Sequence, residues 1–330
     1  MENIDAVLAG ERLALARMLT EVENDTPQGR AALNALFPRT GRAHLVGVTG
    51  APGTGKSSLV NRLAHAFRHP QDGSEPARVA VVAVDPTSPF TGGALLGDRV
   101  RMRDLSGDPG IFIRSMASRG ALGGLAMRTA AVVQVLDAAG YEMIFIETVG
   151  AGQSEVDIAR LAHTTLVVES PGAGDDIQAS KAGILEIADI LVVNKADRPG
   201  ADTTERALQA MLGQAQAVSG KHLRKSTPDA AEGETAGWQI PVMRTIAVNG
   251  EGTPELAAAI RSHRDYLKES GTWQQRDEMR LKNELDSLLQ STLFARWQES
   301  VPRERYQQTL DLLAARSISP LQAVERLLDN

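Results

Sequence analysis

The chain has 330 residues, with 35 Lys and Arg against 41 Asp and Glu, and a formal charge of −6. This mild acidity argues against a general binder of nucleic acid or anionic membrane, while leaving room for a local basic pocket that holds phosphates. Cys is absent, which excludes disulfides, Cys-ligated zinc, iron–sulfur clusters and thiol catalysis and fits a reducing compartment.

Hydrophobic residues make up 42% of the chain, enough for a packed core. Glu2, Asp5 and Glu11 interrupt the early apolar runs, against a signal peptide, and no run reaches the roughly 18 apolar residues a spanning helix needs. A cytoplasmic protein is expected. Residues 1–38 read as helical, with Ile4, Val7 and Leu8, then Leu15, Met18, Leu19 and Val22 at helical spacing. Thr26-Pro27 has the form of an N-cap and first-turn proline opening a helix through Leu36.

From Ala43 the texture changes. Short apolar runs at His44–Thr49, Arg78–Val84, Ile111–Arg114, Met143–Glu147, Thr165–Glu169, Ile190–Val193 and Val242–Val248 alternate with helical segments. Such runs predict an α/β fold with a doubly wound, mainly parallel sheet buried on both faces. One helix follows Ala201, and the polar stretch Lys221–Gly237 reads as an exposed loop. The remainder is helical: Leu281, Leu285, Leu288, Leu289, Phe294 and Trp297 form a stripe, and Ser319-Pro320 opens a helix carrying Leu321, Val324 and Leu328. The stripe fits a tail packed on the sheet as well as an arm reaching a second subunit. The expected division is a helical extension over 1–42, the α/β domain over 43–268 and a helical arm over 269–330.

Gly50-Ala51-Pro52-Gly53-Thr54-Gly55-Lys56-Ser57 matches the phosphate-loop pattern in full, between a strand ending at Thr49 and a helix running to Phe67. Its glycines let the backbone wrap the phosphates with N–H groups pointing inward. Lys56 neutralises the β- and γ-phosphates, Ser57 ligates Mg²⁺, and Ser58 belongs to the same nucleotide-binding set. Further on, the strand Ile190–Val193 runs into Asn194-Lys195-Ala196-Asp197. Guanine presents N1–H and its 2-amino group as adjacent donors, which one carboxylate, Asp197, accepts together; adenine offers no such pair. Asn194 ties loops together and the Lys195 stem covers the base. Near Ile246, Ala247 and Val248 a last strand ends, where a backbone N–H meets guanine O6. GTP is therefore expected over ATP.

Three acids stand near the same edge of the sheet: Asp85, Asp98 and Glu147. Each has the alternative role of a helix N-cap, but Mg²⁺ takes oxygen ligands and keeps several waters, so one or two acids suffice. Gly150 is a candidate reader of the γ-phosphate. Asp175, Gln178 and Lys181 follow a glycine-containing loop, Pro171–Gly174, which is a candidate mobile segment or a plain strand–helix connection.

Together these residues resemble the methylmalonyl-CoA-mutase-associated GTPases, the MeaB/ArgK family. GVTGAPGTGKSS, VDPTSPFTGGALLGDRVRM, RGALGGLA, IETVGAGQSE, PGAGDDIQASKAGILEIAD and VVNKAD carry the resemblance. It implies that Asp85, Asp98 and Glu147 serve the Mg²⁺ site beside Ser57, with Lys56, Asp98 and Glu147 as the catalytic set. It implies that Asp175, Gln178 and Lys181 couple a switch to a partner. It further implies a homodimer through C-terminal helices and a slow GTPase that escorts an adenosylcobalamin-dependent acyl-CoA mutase, gating cofactor loading and protecting or reactivating the enzyme. Gln178-Ala179-Ser180-Lys181-Ala182 departs from the Gln-Gly-Ile-Lys-Lys run of that family.

Two other readings remain open. A metal-insertion GTPase of the nickel-chaperone kind calls for Cys or clustered His ligands. Among His44, His65, His69, His163, His222 and His263 the sequence offers only the His65/His69 helical pair. A nucleotide-binding scaffold without useful hydrolysis is separated from an enzyme by turnover alone.

Overall fold

The computed structural model describes residues 2–86, 105, 107–118, 124–148, 153–172, 187–223 and 237–328. Three helices open the chain: α1 (Glu2–Leu8), α2 (Arg12–Glu23) and α3 (Pro27–Leu36). Thr26 accepts from the Gly29 N–H at 3.0 Å with Pro27 in the first turn, which is why α3 starts where it does.

Among the described residues seven strands follow, most of them separated by helices: β1 (His44–Thr49), α4 (Lys56–Arg68), β2 (Val79–Pro86), β3 (Ile111–Ser118), α5 (Gly124–Ala138), β4 (Met143–Thr148) and α6 (Gln153–Leu161), followed by β5 (Thr164–Glu169), β6 (Ile190–Asn194), α7 (Ala201–Leu223), β7 (Val242–Thr245) and α8 (Thr253–Glu269). The strand order is β3-β2-β4-β1-β5-β6-β7 with every pair parallel. The chain winds to one side of β1 and then to the other. That reversal opens a crevice beyond the C-terminal ends of the central strands, where such sheets hold ligands.

Residues alternate between the two faces. Leu45, Ala80, Val82, Ile144 and Ile146 join Leu15, Leu19, Leu36 and Leu136 under the first three helices and α5. Val46, Val48, Val81, Phe145 and Leu166 join Leu59, Leu63, Phe67, Leu256 and Ile260 under α4 and α8. Burial on both faces explains the near-continuous apolar strands.

Several boundaries differ from the sequence reading. β2 and β3 run on to Pro86 and Ser118 because they pair along their whole length, from Val79↔Ile111 to Pro86↔Ser118. β7 stops at Thr245 instead of Val248, since the chain turns at Ile246, whose N–H donates to Glu251 O at 2.9 Å. Helix α7 takes in Lys221–Leu223, the start of the stretch expected as a loop; residues 224–236 lie outside the described residues.

The chain separates into two compact units, Met1–Arg280 and Leu281–Asn330. Helix α9 (Thr272–Ser300) begins in the first unit, and α10 (Arg303–Ala314) and α11 (Pro320–Leu328) belong to the second. Within the second unit Leu285, Leu289, Leu293, Phe294, Leu321 and Val324 each leave half or more of their surface exposed.

At the N-terminal edge of the sheet the structure brings together three histidines far apart in sequence, yet no group of three or more His, Asp or Glu among the described residues could hold a metal ion. His44, His163 and His263 are buried and come together, because β1 and β5 are neighbours and α8 packs across them. Thr164 Oγ1 lies 2.7 Å from His44 Nε2 and 2.8 Å from His263 Nδ1. The Leu45 N–H donates to His163 Nδ1 at 3.1 Å, which puts the proton of the neutral ring on Nε2, facing Asp277 at 3.4 Å. Trp273 stacks on His163 with ring centroids 3.9 Å apart, and Arg276 forks onto Asp189 at 2.8 and 2.9 Å. Burial holds all three imidazoles below their ordinary range, His263 down to about 4. The cluster fastens the start of α9 to the sheet.

Candidate nucleotide site

The turn after β1 is shaped by glycine. Gly50 has φ 133° and Gly55 φ 94°; a Cβ at the first would collide with the Val168 carbonyl and at the second with the Asn194 amide. No other residue type fits either place. Helix α4 then starts at Lys56 with no side-chain cap from Gly55, and the positive end of its dipole favours an anion there. Lys56 is buried and its Nζ donates to Gly50 O at 2.7 Å and Ala51 O at 3.0 Å, curled inside the loop it would share with phosphate. Ser57 Oγ donates to Glu147 Oε1 at 2.5 Å, and both side chains are buried. Two hard oxygens thus meet at the foot of the phosphate loop, one from α4 and one from the end of β4.

Asn194, at the end of β6, is 1% exposed. Its Nδ2 donates to Thr54 O at 2.8 Å, and its Oδ1 accepts from Thr245 Oγ1 and the Ala247 N–H, each at 3.1 Å. One side chain therefore joins the phosphate loop, β6 and the turn after β7. Lys195 adopts a left-handed φ of 57° and its Nζ donates to Gly53 O at 2.5 Å. Asp197, two residues on, is exposed.

The structure accordingly brings Gly50–Ser57, Glu147, Asn194, Lys195 and Ala247 to one edge. Asp85 lies near the end of β2, in register with Ala117; its side chain, and Asp98, Gly150, Asp175, Gln178 and Lys181, lie outside the described residues. Ile246, Ala247 and Val248 occupy a turn, with Val248 79% exposed. Two residues had no sequence signal. Thr245 contributes a hydroxyl to Asn194. Arg62, on α4, donates from Nε to Ala247 O at 3.1 Å and from Nη2 to Val248 O at 2.6 Å. Nothing in the sequence distinguishes Arg62 from other helix arginines, since its partners lie some 185 residues away.

A family model for the methylmalonyl Co-A mutase-associated GTPase MeaB matches residues 15–301. The chain belongs to the MeaB family. It is 42% identical to a putative GTPase of Pyrococcus abyssi over 99% of this chain and 95% of that one. It is 34% identical to the GTPase ArgK of Escherichia coli, over 99% and 95%. The crystal structure of a protein described as an LAO/AO transport system kinase superposes with a TM-score of 0.69 at 26% identity, covering 99% of this chain and 95% of that one. As a MeaB-family chain with a P-loop GTPase fold, it binds guanine nucleotide and hydrolyses GTP. No helix among the described residues is long and apolar enough to cross a membrane.

Proposed function

We propose that the protein is a slow, partner-stimulated GTPase that assists an adenosylcobalamin-dependent acyl-CoA mutase in the cytoplasm, gating cofactor loading and protecting or reactivating the enzyme. The observation that carries the nucleotide half is the Asn194 node, which ties the phosphate loop to the base-side turn. Family membership carries the mutase half.

In this reading Lys56 exchanges its carbonyl contacts for the β- and γ-phosphates, and the α4 amides hold phosphate oxygens. Asp197 accepts the N1–H and 2-amino donors of guanine, and the Lys195 stem covers the ring. Ser57 and Glu147, with their oxygens 2.5 Å apart, fit a hard divalent cation, and Asp85 and Asp98 complete its surroundings. Mg²⁺ there would supply charge to offset that developing on the γ-phosphoryl group. Gly150 reads the γ-phosphate. Asp175, Gln178 and Lys181 pass the nucleotide state to the mutase.

The apolar face of the second unit supports a homodimer through the arm, as domains over 1–42, 43–268 and 269–330 would allow. Leu321 is 68% and Leu285 64% exposed, a burden for a monomer but ordinary for a subunit contact. The deciding experiment measures GTP turnover with and without a purified adenosylcobalamin-dependent acyl-CoA mutase. Stimulation by the mutase, lost in Lys181→Ala and Gln178→Ala, is expected. Equal turnover in all mixtures would leave a GTPase with another partner.

A further inference from the structure

The turn after β7 holds four successive amides, and their partners differ. Ile246 N–H donates to Glu251 O at 2.9 Å, Ala247 N–H to Asn194 Oδ1 at 3.1 Å and Asn249 N–H to Ile246 O at 3.1 Å. Val248 N–H makes no hydrogen bond among the described residues. It is the amide of this turn left to meet a ligand.

That N–H shares one planar peptide with the Ala247 carbonyl. In a trans peptide the two point in opposite directions, so whatever fixes the Ala247 oxygen also fixes where the Val248 N–H points. Arg62 does so, with Nε at 3.1 Å from Ala247 O, while its Nη2 holds the next carbonyl, Val248 O, at 2.6 Å. The turn is anchored at its ends by the Ile246–Glu251 bridge and by Gly252, which has φ 73°. At its centre Ala247 packs into the core under α4 and α8, whereas Val248 is largely exposed and no buried side chain of its own sets the direction of its N–H. A guanidinium at the carbonyl end also polarises the peptide and makes the N–H a stronger donor. We infer that Arg62 is a positioning residue for base recognition: it aims the Val248 N–H at guanine O6 from the outside of the turn, while Asn194 holds the turn from the inside. The inference rests on the guanine reading proposed above. Arg62 stands on the helix that starts at the phosphate loop, so the phosphate-binding and base-reading parts share one rigid support.

The test compares nucleotides that differ only at the atom in question. GDP and 6-thio-GDP both keep the N1–H and 2-amino donors that Asp197 reads, but sulfur is the weaker acceptor at position 6. Affinities are measured for the parent, Arg62→Ala and Arg62→Lys with GDP, 6-thio-GDP and ADP. We expect Arg62→Ala to lose about tenfold in GDP affinity and about twofold or less for 6-thio-GDP, so that the preference for oxygen collapses. Arg62→Lys, which keeps the stem and one charged donor, recovers part of that preference. Equal losses for both nucleotides would mean that Arg62 supports the pocket as a whole, and no loss would mean that the turn holds without it; either overturns the inference while the guanine reading stands. A parent that binds ADP as tightly as GDP overturns both.

Discussion

Replacing Asn194 with Ala removes one side chain that makes three hydrogen bonds in a buried place: to Thr54 O at 2.8 Å, and from Thr245 Oγ1 and Ala247 N–H at 3.1 Å each. At about 1 kcal/mol net for each bond, the ligand-free protein should lose about 3 kcal/mol, and more where a partner stays buried without water. For a unit of 280 residues that is a fall of about 5 °C in Tm. Thr245→Val removes only one of the three bonds and should cost about a third as much. The double variant should melt no lower than Asn194→Ala alone, because the two residues share the bond that each deletes. Thermal melts of the four proteins give the cycle, and GDP titration of each reports whether the tie also organises the nucleotide site. Asn194→Ala is expected to weaken GDP more than Thr245→Val does. An Asn194→Ala melt within about 2 °C of the parent, or strictly additive losses, would refute the reasoning.

Three further outcomes follow from the geometry. Lys56→Ala should abolish GTP hydrolysis while circular dichroism stays that of the parent, since the loop is shaped by Gly50 and Gly55; retained turnover would remove Lys56 from the site. Asp197→Asn should turn base preference from guanine towards xanthine, whose C2 carbonyl needs a donor, and competition between GTP and XTP reads this directly. The buried histidines have pKa values lowered by desolvation, so the stability that goes with their neutral form is complete above about pH 6.5 and declines as pH falls toward the folded values. For His263, lowered from 6.5 to about 4, the loss by pH 4 is about 3 kcal/mol. Urea unfolding at pH 7.5, 6 and 5 should show this decline in the parent and a flatter course in His263→Gln. A parent whose stability is level across that range would contradict the buried, neutral assignment.

The features legible in the sequence are those whose parts are contiguous. The phosphate loop carries its glycines, lysine and serine within one turn, and Asn194 to Asp197 sit at the end of one strand. Alternation of apolar strands with helices disclosed the sheet, because burial on both faces is written into each strand separately. What escaped depends on partners distant in the chain. The reach of β2 to Pro86 is decided by β3, and the end of β7 by a bond from Ile246 to Glu251. His44, His163 and His263 look isolated until the parallel pairing of β1 with β5 sets the first two side by side. The linkage of Arg62 to Val248 spans two elements on which no local pattern acts.

Lys195 holds a left-handed backbone, φ 57°, that costs a lysine on the order of 1 kcal/mol or more and a glycine almost nothing. Its stem is nonetheless what reaches back to the Gly53 carbonyl. Heat resistance and nucleotide recognition therefore make opposite demands on this one position. A library selected only for survival at high temperature should accumulate glycine at 195, and the survivors should be sturdier proteins with a loosened grip on the phosphate loop. Selection that also requires GTP turnover should hold the lysine and seek its stability elsewhere.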